Sequence, residues 1–187
     1  MRIVSGFLKG KKMNFLKSKT TRPLKDFVKE NIFNIIKHSN LIKVKLNNAN
    51  VLDMYSGVGS FGIECISRGA KKTTFVENDN KALVVLKKNL NSLKVENQSE
   101  VYGEKTVSFL SRFNKKETFE IIFFDPPFAE NFYIRELQTL KNSIIYKKKH
   151  LIIIHREEKS NDDLGKIINV LLVRNYGRSK VIFGVLT

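Results

Sequence analysis

At 187 residues, the chain is long enough for one well-packed domain with a small appendage and too short for two full ones. Its single cysteine, Cys65, excludes an internal disulfide framework and suits a buried helical thiol better than a nucleophile. No apolar run approaches the roughly 18 residues of a membrane span, and the basic N-terminus lacks the apolar stretch of a signal peptide, so a cytoplasmic protein is expected.

The net charge of +16 is unevenly spread: residues 1–46 hold 12 of the 34 Lys and Arg but only two of the 18 acids, Asp26 and Glu30. Such a block is the electrostatic footprint of a phosphate-backbone partner, and no amphipathic apolar face accompanies it that would suit a membrane surface instead. Within it, Arg2-Ile3-Val4-Ser5-Gly6 and Lys12-Met13-Asn14-Phe15-Leu16 predict a small hairpin around Gly6 and Gly10. A helix should follow, with Pro23 near its first turn and Phe27, Ile32, Phe33, Ile35 and Ile36 as its docking stripe. The linker Lys45-Leu46-Asn47-Asn48-Ala49-Asn50 then separates a basic extension, residues 1–46, from a main domain, residues 47–187.

From residue 50 the pattern alternates. Strands are expected at 50–55, 73–77, 99–103, 119–125 and 150–156, with helices near 60–69, 80–93, 104–113 and 131–142. This βαβ series implies an α/β fold with a mostly parallel sheet covered on both faces. The runs Val170-Leu171-Leu172-Val173 and Lys180 to Leu186 are too close together for a crossover helix, so an antiparallel pair should end the sheet. His38, His150 and His155 lack ligand spacing; no metal is expected, and ordinary surface or core roles are expected for all three.

The first βα turn should hold a cofactor. Val51-Leu52-Asp53-Met54-Tyr55-Ser56 runs into Gly57-Val58-Gly59-Ser60-Phe61-Gly62, a G-x-G-x-x-G that lets a ligand approach the backbone but equally fits dinucleotide-binding proteins. Glu77 ends the next strand, where a carboxylate can accept from both hydroxyls of a ribose. Asp53 discriminates: beside a pyrophosphate two anions would face each other, whereas a cationic amino group would be held well. S-adenosylmethionine offers that ammonium, a sulfonium and no phosphate.

Two of the three prolines stand together in Asp125-Pro126-Pro127-Phe128, after the apolar run Phe119 to Phe124. Proline lacks an N–H, so the pair ends the strand and leaves carbonyl acceptors beside an acid and a ring. That combination suits a planar base with an exocyclic NH2 group.

These residues, with Val76-Glu77-Asn78-Asp79, resemble the motifs of class I methyltransferases acting on exocyclic amines. The segments Arg2-Ile3-Val4-Ser5-Gly6, Lys9-Gly10-Lys11-Lys12 and Arg22 to Asn34 are similar to those of RsmD-type bacterial small-subunit (16S) rRNA guanine-N2 methyltransferases. The resemblance implies a Rossmann-like fold with a seven-stranded sheet and an antiparallel C-terminal strand, S-adenosylmethionine as cofactor, and ribosomal RNA or the small ribosomal subunit particle as partner of a monomer. It implies that Asp53 binds the methionine ammonium, that Tyr55, Gly57 and Gly59 line the cofactor, that Glu77 takes the ribose hydroxyls and that Asn78 borders the adenine. Where this family offers an Asp or Asn to the adenine amine the chain has Lys105, with Glu104 beside it as the substitute. Asp125, Pro126, Pro127 and Phe128 would form the catalytic wall, with Phe128 stacking on a flipped base. Arg2, Lys9, Arg22 and Lys25 would grip the RNA. Because the tetrapeptide reads an amine and does not name the ring, an adenine-N6 or protein-amide acceptor stays open, as do a nicotinamide-dependent oxidoreductase and a non-catalytic RNA-binding factor.

Overall fold

The computed structural model describes residues 1–16, 24–113, 118–127, 132–143 and 145–187. Seven strands form one sheet in the order β3-β2-β1-β4-β5-β7-β6. They are β1 (Asn50–Met54), β2 (Lys72–Val76), β3 (Ser99–Tyr102), β4 (Phe119–Phe124), β5 (Tyr146–Glu157), β6 (Ile168–Tyr176) and β7 (Ser179–Leu186). The first five run parallel, and β7 inserts antiparallel between β5 and β6. The helices are α1 (Asp26–His38), α2 (Ser60–Ser67), α3 (Asn80–Leu93), α4 (Thr106–Arg112) and α5 (Tyr133–Lys141). The expected elements of the main domain are therefore present, while β5 begins four residues before its expected start at 150.

Successive side chains of a strand face opposite sides, so the central strands feed two separate cores. Val51, Ile121, Phe123, Leu151 and Ile153 point to α1 and α2, where Phe33, Phe61 and Phe123 stack with centroid separations of 5.3 and 4.0 Å. Leu52, Ile122, Phe124, Ile152 and Ile154 face Phe109, Leu110, Leu137 and Leu140 of α4 and α5. Each fully buried side chain of this kind contributes about 1.5–3 kcal/mol. Reversal of strand order between β1 and β4 opens a crevice at their carboxyl ends, the position where ligands bind in open α/β sheets.

The N-terminal arm differs from a strand hairpin. A single antiparallel bridge joins Arg2 to Lys12, and the intervening residues form turns. The arm is instead held to the body by polar groups of α2 and α3. Buried Glu64 accepts from Val4 N (2.8 Å), Ser5 N (2.9 Å) and Arg68 Nε (2.8 Å), and Lys29, fully buried, lies 3.5 Å from it. Gly6, at φ +84°, sits where a Cβ would be 1.8 Å from Ser67 O, so only glycine permits this approach. Asn89 of α3 joins the arm to the glycine turn, donating to both Asn14 O (3.1 Å) and Val58 O (3.0 Å). Pro23, expected in the first turn of α1, lies outside the described residues.

Candidate active site

The glycine turn leaves β1 through backbone that side chains rarely adopt: Tyr55 has φ +61°, Gly57 +54° and Gly59 +87°. A Cβ on Gly57 would meet nothing within 4 Å, so this side of the turn is open. Glu77, just past β2, ties the turn down. Its Oε2 accepts from Gly57 N at 2.7 Å, and its Oε1 accepts from Asn78 N and Asp79 N at 2.8 Å each. Asp79 in turn caps α3 by accepting from Ala82 N at 2.7 Å, the usual remedy for unpaired N–H groups at a helix start.

Asp53 lies beneath the turn at 1% exposure, and its Oδ2 accepts from Gly62 N at 2.9 Å. Burial pushes its carboxyl well above the usual range; the Gly62 bond opposes this, and the Asp125 and Glu77 carboxylates add to it. No described cation pairs with it. A buried acid in this condition is stabilised by an incoming positive charge. The hydroxyls of Ser56 and Ser60, at either end of the glycine turn, are buried without a partner, a state that normally signals a missing ligand or water. An ammonium-bearing, hydroxyl-bearing cofactor without phosphate fits these groups.

One strand away, Asp125 follows the last residue of β4. Phe124 is in register with Ile154 of β5, which places His155 beside Asp125, and His155 Nδ1 is 2.8 Å from Asp125 Oδ1. The Asp125 side chain remains 25% exposed against 9% for His155. Alternation places Asp53, Asp125 and His155 on the same face of the sheet. On the opposite face, fully buried Arg156 donates from Nη1 to Pro127 O at 3.0 Å and from Nε to Asp162 Oδ1 at 3.3 Å. Its guanidinium lies 4.6 Å above the Tyr133 ring. Burial disfavours the Asp162 carboxylate, but Ser160 Oγ at 2.6 Å, Arg156 and Lys180 together hold its carboxyl below the usual range. The Tyr55 hydroxyl donates to Glu136 of α5, tying the two halves of the crevice together.

The structure thus gathers Asp53, Tyr55, Gly57, Gly59 and Glu77 around one turn and sets Asp125, Pro126 and Pro127 on the neighbouring strand end. Asn78 is exposed beside Glu77. Glu104 is engaged by Arg112 Nη2 at 2.5 Å, and Lys105 is exposed at the start of α4. Arg2, Lys9 and Lys25 are exposed, with Arg2 Nε 3.4 Å from Asp26. Phe128 and Arg22 lie outside the described residues. Sequence reading overlooked Ser56, Ser60, His155 and Arg156. A signal existed for the last two, since they stand directly after the apolar run Leu151 to Ile154 as Asp125 stands after Phe119 to Phe124.

A parallel sheet with an antiparallel carboxyl-terminal pair, a glycine turn over a buried acid and a second acid after β2 define a class I methyltransferase fold. The precorrin-6y C5,15-methyltransferase of Geobacter metallireducens shares it with a TM-score of 0.68 at 11% identity, over 94% of each chain. The yhhF protein of Escherichia coli superimposes with a TM-score of 0.83 at 26% identity, covering 98% of this chain and 96% of its own. Among curated proteins, Ribosomal RNA small subunit methyltransferase D of Haemophilus influenzae is 35% identical over 159 residues, 84% of this chain and 79% of that protein. Its namesake in Escherichia coli is 31% identical over 157 residues, 84% of this chain and 75% of that protein. Residues 1–185 match the family described as Conserved hypothetical protein 95. The chain belongs to this family, that of the RsmD-type methyltransferases.

Proposed function

We propose that the protein methylates the exocyclic N2 amine of a guanine in small-subunit ribosomal RNA, using S-adenosylmethionine. The observation that carries this reading is the placement of two carboxylates at adjoining strand ends, buried Asp53 under the glycine turn and accessible Asp125 before two prolines. Relatives named for ribosomal RNA methylation at 31–35% identity support the substrate class, and the basic composition of residues 1–46 supports a phosphate-rich partner.

When bound, S-adenosylmethionine supplies an electrophilic sulfonium methyl. Asp53 would hold its ammonium, the Ser56 and Ser60 hydroxyls would find partners on its polar edge, and Glu77 would exchange a backbone contact for the ribose hydroxyls. Asp125 and the Pro126 carbonyl would accept from the two amine hydrogens of the base, orienting a nitrogen whose lone pair is otherwise delocalised into the ring. The proton shed after methylation goes to Asp125 or to water, so most of the rate comes from alignment and acceptor placement. Residues 1–46 act as the RNA grip through Arg2, Lys9, Arg22 and Lys25, with Phe128 as stacking partner.

Purified protein should transfer a labelled methyl group to small-subunit rRNA or its particle, and nucleoside mass spectrometry should locate it on guanine N2 and not on adenine N6. Asp125→Ala should lower kcat at least about 100-fold, near 3 kcal/mol of barrier, while calorimetry with S-adenosylhomocysteine shows unchanged affinity. Transfer by this variant at the parental rate would remove Asp125 from the mechanism.

A further inference from the structure

His155 touches the Asp125 carboxylate, and it comes from a strand that carries none of the residues assigned above to the cofactor. Its ring is nearly enclosed while the acid it touches is partly open, at 9% and 25% exposure. β4 and β5 run in register up to Phe124 and Ile154, and β7 flanks the other side of β5 through Val181. The backbone that carries the imidazole is therefore held between two hydrogen-bonded strands, and the 2.8 Å contact fixes one oxygen of Asp125.

An ionised carboxylate only accepts hydrogen bonds, so His155 Nδ1 must carry the hydrogen in that contact. Donation to Oδ1 leaves Oδ2 as the oxygen available to the crevice. Fixing one oxygen is useful at this position because the other can then meet the N–H of a base in a single orientation. Arg156, the next residue, cannot serve, because its guanidinium is on the opposite face with Pro127 O, Asp162 and Tyr133.

We infer that His155 is a positioning residue for methyl transfer: through Nδ1–H it clamps Oδ1 of Asp125 and directs Oδ2 at the amine of the substrate base. The inference rests on the function proposed above. In the transfer step the amine nitrogen would form its bond to the methyl carbon as the carbon–sulfur bond of S-adenosylmethionine breaks, the electron pair leaving on the sulfur of S-adenosylhomocysteine, and the nitrogen would then lose a proton to Oδ2 and on to water. His155 keeps its Nδ1 proton throughout and exchanges none with the substrate.

The role separates kcat from binding. His155→Ala should lower kcat for methyl transfer to small-subunit rRNA roughly tenfold or more, leaving KM for RNA and the affinity for S-adenosylhomocysteine within about twofold. His155→Asn, whose amide nitrogen can stand near the position of Nδ1, should recover most of that loss. If the alanine variant does not fold, the asparagine variant compared with His155→Leu decides the matter in the same way. Ring 15N shifts of the parental protein should show the Nδ1-protonated tautomer, and Asp125→Ala should move them. Equal kcat in parent and alanine variant, equal loss in the alanine and asparagine variants, or an Nε2-protonated ring would each overturn the inference. A parental protein inert on rRNA would instead break the proposed function, and the ring shifts would still decide the His155 contact.

Discussion

The two halves of the crevice are built over different chain distances. In the cofactor half, Asp53 reaches Gly62, nine residues on, and Glu77 reaches Gly57, twenty residues back. In the acceptor half, the supports of the Asp125 turn arrive from β5, with His155 thirty residues and Arg156 twenty-nine residues away. The first half is a single βαβ unit whose turn is held by contacts within the unit itself, the kind of place where ligands generally bind in such folds. The second is a strand end whose geometry depends on its neighbour.

The largest effect should come from cutting the support on the acceptor side. Arg156→Met removes a fully buried cation from Asp162 and Pro127 O, and breaking one partner of a buried pair typically destabilises by about 3–5 kcal/mol. Urea unfolding should register this loss, and the surviving folded protein should keep its affinity for S-adenosylhomocysteine if the two halves are as separate as their wiring suggests. Loss of cofactor affinity in the folded variant would erase the distinction.

Asp53→Asn probes the cofactor half and should act in the opposite sense on the free protein. The folded carboxyl is raised above 3.8, so its contribution to stability is full below that value and is lost as pH rises through the folded pKa. Replacing it with a neutral amide should therefore raise Tm at neutral pH by a few degrees, equivalent to about 1–2 kcal/mol, with a gain that shrinks toward pH 4. The same variant should lose the thermal shift produced by S-adenosylhomocysteine. A lower Tm at neutral pH would show that Asp53 is compensated by its surroundings without any ligand.

The smallest effect belongs to His150, which serves as a control for His155 on the same strand. Both of its ring nitrogens face backbone groups, with Nδ1 2.8 Å from Lys147 O and Nε2 accepting from Leu186 N at 2.8 Å. Burial pulls its pKa below 6.5, opposed by bonds to Lys147 and Lys148. Its share of stability is thus complete above 6.5 and is lost as pH falls through the folded value. His150→Gln should flatten the acid side of the stability profile and leave kcat at neutral pH unchanged; a change in kcat would give this histidine a role that its backbone contacts do not suggest.

The amino-acid sequence by itself determined the alternation of strands and helices, because buried parallel strands read as continuous apolar runs and the glycine turn is short-range chemistry. It also brought Asp53, Gly57 and Glu77 together in the reading as members of one βαβ unit, and the structure places them around a single turn. The N-terminal arm was legible as a basic segment but not as a set of turns anchored to Glu64 and Asn89, since those anchors sit on helices far along the chain. Only the tertiary structure decided that His155, one of three unremarkable histidines, stands against Asp125 while His150 closes a backbone junction. The physical reason is register. Periodicity shows that β4 and β5 are strands, but which residues end side by side is settled by how far each strand slides before its cores on both faces are filled.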